Sequence, residues 1–193
     1  HHVMIADALE RVERGENKRL MIFCPPRHTK SELATRRFPA WYMGRNPNTQ
    51  IISASYNSEL SSDFGREVRN LVASGVYKKI FPDAMLSEDS QAANRWHLKE
   101  GGAYIAAGVG TAITGRGANL AIVDDPIKDR QEADSETIRN RIWDWYRSVL
   151  YTRLMPNGAI VIIQTRWHDD DLAGRLLLEQ DEGGDQWEVI SLP

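Results

Sequence analysis

The sequence has little that marks a secreted or membrane-bound chain. It holds one cysteine among 193 residues, which excludes a disulfide framework and fits a reducing interior. No apolar run approaches the roughly 20 residues that a membrane-spanning helix needs, and no signal peptide is visible. We therefore expect no membrane partner.

The chain also lacks a strong net charge. It carries 24 Lys and Arg against 27 Asp and Glu, a net charge of −3. No overall basic field therefore attracts nucleic acid, and any DNA contact has to use a local patch. A hydrophobic content of 41% and a charged content of 26% are ordinary for a globular chain. The length suits one α/β domain with a sizeable core.

Short apolar segments alternate with helical patterns, and no internal repeat is present. Buried strands are predicted at 19–24, 50–55, 119–123 and 159–164, a hairpin at 95–107, and a last strand from 188. Helices are predicted at 2–14, 31–43, 58–71, 134–154 and 169–179, with a kink or split at Pro39, whereas 78–94 reads as loop. This alternation predicts a mostly parallel sheet with helices on both faces. In such sheets ligands bind at the carboxyl ends of the strands.

The first predicted strand runs into a stretch with the layout of a phosphate-binding loop. Residues 24–31 read Cys-Pro-Pro-Arg-His-Thr-Lys-Ser and lead into a helical pattern. In such a loop Lys30 reaches the β- and γ-phosphates, and the Ser31 hydroxyl is left for Mg²⁺. Cys24 and Thr29, however, stand where G-x-x-x-x-G-K-[ST] has its glycines. From the loop alone, a Lys-Ser pair that merely starts a helix remains an open alternative.

A second apolar strand ends in two consecutive acids, Asp124 and Asp125. Neighbouring strand residues point to opposite faces, so the two carboxylates can play different parts. We expect Asp124 to hold Mg²⁺ next to Ser31, and Asp125 to orient or deprotonate an attacking water. The alternative is that the two acids only begin the loop after the strand and have no catalytic role. Their occurrence together with Lys30-Ser31 argues against this alternative.

Two further strand exits carry candidate residues. The glycine-punctuated loop 108–117 holds Arg116, which is either a surface arginine in a turn or a group that meets a γ-phosphate across a subunit boundary or a DNA phosphate. The strand at 159–164 ends in Gln164-Thr165, a pair suited to sensing the γ-phosphate or the lytic water. We interpret Asp169 as the N-cap of the next helix and Asp170 and Asp171 as acids that favour its positive end. A metal site formed by these acids and His168 is the weaker interpretation.

Three blocks of the sequence resemble the large terminase subunit of tailed bacteriophages and prophages. They are Pro-Pro-Arg-His-x-Lys-Ser-Glu at 25–32, Thr-Gly-Arg-Gly-Ala-Asn-Leu-Ala-Ile-Val-Asp-Asp-Pro at 114–126, and Gln-Thr-Arg-Trp-His-Asp-Asp-Asp-Leu-Ala-Gly-Arg at 164–175. The resemblance runs from about residue 5 to the C-terminus. It implies an ASCE-type, RecA-like P-loop ATPase domain over 1–193, followed in the family by an RNase H-like nuclease after Pro193.

The resemblance also implies a function and partners. The family is the ATP-driven motor that packages double-stranded DNA into procapsids, as a homo-oligomeric ring on the portal protein and together with a small terminase subunit. ATP and Mg²⁺ are the implied cofactors, and the host bacterial cytoplasm is the implied location.

Residue roles follow from matching positions. The implied nucleotide-binding residues are Pro26, Arg27, His28, Thr29, Lys30, Ser31 and Glu32. Ser31 and Asp124 are the implied metal ligands, and Asp125, Arg27, Arg116, Gln164 and Thr165 the implied catalytic or coupling residues.

The sequence departs from the family pattern at four points. Thr29 replaces a glycine, Asp125 a more frequent glutamate, and Arg27 lies one residue nearer the lysine than the loop arginine of other branches. An upstream adenine-contacting glutamine has no counterpart unless His1 or His2 replaces it. Two other classes therefore stay open: a helicase or repair ATPase, and a nucleotide-binding or assembly module in which Thr29 impairs turnover.

Overall fold

The fold was determined from a computed structural model. It describes every residue except Thr114, Arg116 and Pro193, and it leaves aside the side chains of Ser90 and Gln91.

Eight strands of the described chain form one mixed sheet in the order β3-β4-β5-β2-β6-β7-β1-β8. The strands are β1 (Arg19–Phe23), β2 (Gln50–Ser55), β3 (Leu86–Ala92), β4 (Arg95–Leu98), β5 (Ala103–Gly108), β6 (Ala118–Asp124), β7 (Leu154–Gln164) and β8 (Glu188–Ser191). The six strands from β5 to β8 in that order are parallel, and β4 and β3 extend one edge in antiparallel pairing.

Helices cover both faces of the sheet. The helices are α1 (His2–Glu13), α2 (Phe38–Arg45), α3 (Ser58–Ala73), α4 (Gly75–Ile80), α5 (Arg130–Asp134), α6 (Glu136–Trp145) and α7 (Leu172–Asp181). Apolar residues of α1 to α4 form one core with one face of the sheet, and those of α5 to α7 form a second core with the other. The predicted mixed sheet, mostly parallel and covered on both faces, is confirmed.

The helix after the phosphate loop changes its winding before Pro39. A π-helical segment spans Glu32–Arg37 and passes directly into α2 at Phe38. Proline has no backbone N–H and cannot continue the i to i−4 ladder, so wider winding in the preceding turn accommodates it. The predicted split at Pro39 is therefore present as a change of helix type.

Two predicted stretches differ from the structure. The range 78–94, expected as loop, contains the end of α4 and all of β3. The single helix expected at 134–154 is divided: α5 ends at Asp134, and the Ser135 side chain accepts a hydrogen bond from the Ile138 backbone N–H to start α6. After α6 the chain continues as a π-helical turn (Tyr146–Leu150) and a 3₁₀ turn (Tyr151–Arg153). Ser135 is a good N-cap, and this local hydrogen bond competes with helix continuation.

The strand order places β7 between β1 and β6. Parallel neighbours end on the same side of the sheet, so the residues that follow β1, β6 and β7 meet at one edge. These are the loop at 24–31, which resembles a phosphate-binding loop, Asp124-Asp125 and Gln164-Thr165.

Candidate nucleotide site

Lys30 is the centre of the polar cluster at this edge. It is buried, and its ammonium Nζ lies 2.9 Å from Asp125 Oδ2 and donates a hydrogen bond to Thr165 Oγ1 at 3.2 Å. The backbone N–H of Thr165 donates to Asp125 Oδ1 at 2.8 Å. Residues from three separate strand exits, after β1, β6 and β7, are thus in direct contact.

Asp124 lies beside this cluster and is almost completely buried, with 1% of its surface exposed. Its Oδ2 accepts a hydrogen bond from the Thr35 hydroxyl at 2.6 Å, whereas its Oδ1 has no hydrogen-bond partner among the described residues. Burial, and next the charge of Asp125, raise the pKa of Asp124 to about 6, although Thr35, Ser31 and Lys30 act in the opposite direction. A desolvated carboxylate with a free oxygen is typical of a functional position.

The donor set fits a magnesium ion. Mg²⁺ prefers oxygen ligands and is commonly held by one or two protein groups together with substrate phosphates. The free Oδ1 of Asp124 is such a ligand, and the Ser31 hydroxyl is close enough to lower the pKa of that carboxyl. Among the described residues no group of three or more His, Cys, Asp or Glu side chains forms a metal site of its own. That result includes the described His168 and its neighbouring acids.

The loop between β1 and the helix contains two strained residues. Arg27 and Thr29 have φ angles of 67° and 63°, in the left-handed region that glycine adopts freely. For a β-branched residue such as threonine this is a genuine outlier. The Thr29 hydroxyl donates to the His28 carbonyl at 2.6 Å and also lies 2.6 Å from His2 Nε2. The loop thus holds at Thr29 a backbone conformation suited to the glycine that the sequence lacks.

Other predicted residues of the loop face solvent. Pro26, Arg27 and His28 are exposed, and His28 Nδ1 lies 2.9 Å from the Pro26 carbonyl. Glu32 forms ion pairs with Arg36 and Arg37 on its own helical segment.

Gln164 lies away from the cluster. Its side chain is buried on the opposite face of the sheet, where its amide donates to Asp171 Oδ2 at 2.8 Å. The same carboxylate accepts from Arg166 Nε at 2.7 Å and from the Gly174 backbone N–H, which makes Asp171 the N-cap of α7. The cap expected at Asp169 is therefore wrong by two residues. Of the pair Gln164-Thr165, only Thr165 joins Lys30 and Asp125.

Sequence reasoning missed Thr35 and could not place Arg116. Thr35 follows Ser31 by four residues, so one helical turn brings it to the same face as Ser31. That spacing, at the start of a helix after a phosphate-like loop, was the available signal. Arg116 lies outside the described residues.

Comparison with known proteins shows the family of this chain. The sequence model of the family described as terminase large subunit, T4likevirus-type, N-terminal, matches residues 21–193. The chain belongs to the terminase large subunit family. No curated protein matches the sequence.

A solved structure shares the terminase fold. The crystal structure of the HK97 bacteriophage large terminase superimposes with a TM-score of 0.58 at 15% sequence identity. The match covers 91% of the present chain and 35% of the HK97 chain, so this terminase chain spans about a third of that relative. At this identity the likeness is one of fold. No helix among the described residues of the terminase chain has the length and apolarity to cross a membrane.

Proposed function

We propose that this terminase domain is the ATP-hydrolysing motor of a viral DNA-packaging machine. One observation carries the proposal: buried Lys30 contacts Asp125 and Thr165, next to the buried Asp124 whose Oδ1 has no partner. A cation and two differently placed carboxylates at the carboxyl edge of a parallel sheet suit phosphoryl transfer, which depends on positioning and charge stabilisation.

The strand order supports a specific class of P-loop ATPase. An additional strand, β7, separates the strand before the phosphate-like loop from the strand that ends in the acids. That arrangement, together with the catalytic acid after β6, is what the ASCE class is named for. This strand order supports our proposal that the domain belongs to the ASCE, RecA-like class.

Each residue of the cluster has a distinct role in this proposal. Lys30 and the backbone N–H groups of residues 27–31 bind the phosphates, and the Ser31 hydroxyl and Asp124 would hold Mg²⁺, which would supply positive charge opposite the phosphates. Asp125 orients and deprotonates the attacking water. Thr165 supports Lys30 and, through its N–H, fixes the carboxylate of Asp125.

The ion pair between Lys30 and Asp125 gives the site a simple order of events. Phosphate oxygens compete with the Asp125 carboxylate for the Lys30 ammonium, because both are anions within reach of one cation. Binding of a triphosphate then frees Asp125 Oδ2 for water, while Oδ1 stays bonded to the Thr165 N–H. The general base is thereby released when a substrate occupies the site.

One observation favours a second candidate, an impaired nucleotide-binding or assembly module. Thr29 adopts a φ of 63°, and its β-carbon lies where a glycine normally lets the loop approach a phosphate. A helicase or repair ATPase gains no support beyond the features it shares with a terminase.

From family membership we infer that the protein forms a ring in the host cytoplasm. Its inferred partners are double-stranded DNA, the portal protein and a small terminase subunit.

Nucleotide binding and turnover test the proposal. Wild-type protein is titrated with Mg²⁺ and a non-hydrolysable ATP analogue, and phosphate release from Mg-ATP is measured separately. Asp125→Asn should retain binding and abolish hydrolysis, because a neutral amide accepts no proton from water. Asp124→Asn should weaken Mg²⁺-dependent binding and also abolish hydrolysis.

Asp83→Asn, which removes an exposed carboxylate elsewhere, is the matched control and should leave both measurements unchanged. Binding without hydrolysis in the wild-type protein supports the assembly module. Equal loss of binding in Asp124→Asn and Asp125→Asn contradicts the division of roles between the two acids.

A further inference from the structure

A row of buried polar atoms lies on one face of the sheet beside the candidate site. Asp124 Oδ1 and Ser55 Oγ have no hydrogen-bond partner among the described residues. The Ser53 and Tyr104 hydroxyls lie close enough to each other for Ser53 to oppose the rise that burial causes in the pKa of Tyr104. All four residues are buried, with between 0% and 1% of their surface exposed. Each unsatisfied buried polar group costs roughly 1–3 kcal/mol, and such groups in proteins are usually satisfied by ordered water.

Strand register places Ser55 directly beside Asp124. β2 and β6 are parallel, and Ser55 pairs with Asp124 while Ser53 pairs with Ile122. Paired residues of adjacent strands point to the same face, so the Ser55 hydroxyl and the Asp124 carboxylate share the face covered by α3. The hydroxyl sits on the β2 side of Asp124, whereas the phosphate-like loop lies beyond β7 on the other side.

Ser55 pairs with Gly108 of β5 and lies in closely packed surroundings. The N-terminus of α3 packs closely on the end of β5: a β-carbon on Gly108 would lie 2.5 Å from Ser58 Oγ. Ser61, on the inner face of α3, is fully buried and bonds to backbone carbonyls of its own helix. A water molecule is the polar partner that suits two adjacent unsatisfied oxygens in such surroundings.

We propose that Ser55 is a positioning residue of the magnesium site, acting on Asp124 through a shared water. This inference rests on the proposed function. Thr35 fixes Oδ2 of the carboxylate by a direct hydrogen bond, and Ser55 is the one hydroxyl that strand pairing places beside Asp124 from a different element. The two hydroxyls together orient Oδ1 toward the cation. In other proteins, groups that hydrogen-bond to a metal ligand without contacting the metal orient the ligand in this way.

The experiment compares Ser55→Ala with Ser53→Ala. Both substitutions remove a buried hydroxyl from the same face of β2 and keep a small side chain, so we expect the packing of α3 to be retained. Affinity for a non-hydrolysable ATP analogue is measured across a Mg²⁺ titration and again with EDTA, on the full chain.

Ser55→Ala should raise the Mg²⁺ concentration for half-maximal binding by about 10-fold. This is the lower end of the roughly 10- to 100-fold loss of metal affinity that follows when a group hydrogen-bonded to a metal ligand is removed. Binding in EDTA should stay unchanged, and Ser53→Ala should match the wild type in both conditions. A high-resolution structure of the wild type should show a water within hydrogen-bond distance of Ser55 Oγ and Asp124 Oδ1.

The outcomes separate this inference from the function on which it rests. A wild-type protein without Mg²⁺-dependent nucleotide binding overturns both. Wild-type binding that Ser55→Ala leaves unaltered, or that both alanine variants weaken equally, overturns the role of Ser55 alone. An equal loss in EDTA and in Mg²⁺ shows a structural role and also rejects the inference.

Discussion

Thr29 is the residue whose chemistry conflicts most with its position. Its φ of 63° falls in a region that a β-branched side chain rarely occupies, and such strain costs on the order of 1–3 kcal/mol. The threonine also sets a β-carbon and two further heavy atoms where the loop should face a phosphate. We expect weak binding of ATP as a consequence.

Thr29→Gly should therefore raise the affinity for Mg-ATP by roughly ten- to a hundredfold and increase turnover. Thr29→Ala is the matched control, because it removes the hydroxyl and the methyl group but keeps the β-carbon and the unfavourable φ. Nucleotide titration of both variants distinguishes an effect of the β-carbon and the φ angle from an effect of the γ-atoms. Equal affinity of Thr29→Gly and the wild type contradicts crowding, and full rescue by alanine assigns the effect to the γ-atoms.

Asp124 should make the stability of the metal-free protein depend on pH. Its pKa is raised to about 6 by burial and by Asp125, above the ordinary value of 3.8. The folded state therefore binds the proton more tightly than the unfolded state. The contribution of Asp124 to stability is therefore largest below about pH 4, falls as the pH rises through about 6, and is level above that.

Asp124→Asn should remove this dependence, because the amide carries no charge at any of these pH values. In EDTA the variant should be more stable than the wild type at pH 8, by up to about 3 kcal/mol for a shift of this size, with little difference near pH 4. Urea unfolding at the two pH values measures the effect. Asp83→Asn should show no such pH-dependent gain, and a uniform offset in Asp124→Asn would point to packing.

At the level of secondary structure, Asp171 joins α7 to the end of β7. Its carboxylate caps α7 through the Gly174 N–H and also accepts from Gln164 and Arg166. The Arg166 guanidinium in turn lies over the ring of Phe23 in β1, 5.0 Å from its centre. One buried carboxylate therefore fixes the start of a helix and links the ends of two strands.

Asp171→Ala should destabilise the protein by roughly 3–5 kcal/mol, because it breaks a buried charge pair and removes an N-cap. Asp169→Ala, a substitution of the exposed acid that sequence spacing had favoured as the cap, should change stability by less than about 0.5 kcal/mol. Chemical denaturation of the two variants measures the difference. Similar losses would show that α7 is not held by Asp171.

At the scale of the whole molecule, we expect a second subunit to contribute a group to the candidate site. Lys30, Asp124, Asp125 and Thr165 all come from this chain, and the described residues bring no arginine into contact with Lys30 or Asp125. The sequence offers Arg116 in a glycine-punctuated loop, and a ring assembly would allow such a group to act on a neighbouring subunit. A supplied arginine accelerates hydrolysis by about 10³- to 10⁵-fold where it acts.

We therefore predict that specific ATPase activity rises with protein concentration. Arg116→Ala should remove this rise while leaving nucleotide affinity nearly unchanged, because the group acts on the transition state of another chain. Lys128→Ala, which removes a cation elsewhere in the chain, is the matched control. Specific activity that stays constant over a wide dilution series contradicts a shared site.

Local sequence determined much of this protein. Apolar runs at β1, β2, β6 and β7 are strong strand signals because buried parallel strands are apolar on both faces. Helical spacing identified α1, α3 and α7, and the phosphate-like loop and the paired acids were recognisable as motifs at strand ends. The sequence signals for β3 and for the end of α4 are weaker, because these segments are short. The prediction of loop at 78–94 was therefore wrong there.

Only the tertiary structure decided which side chains meet. The order β6-β7-β1 brings Lys30 to Asp125 and Thr165, and the register of β2 against β6 sets Ser55 beside Asp124. Gln164 and Thr165 are adjacent in sequence, yet one bonds to Asp171 and the other to Lys30. Strand order and register arise from contacts distant in sequence, and the local pattern fixes only alternation of faces, so no motif could have revealed these partners.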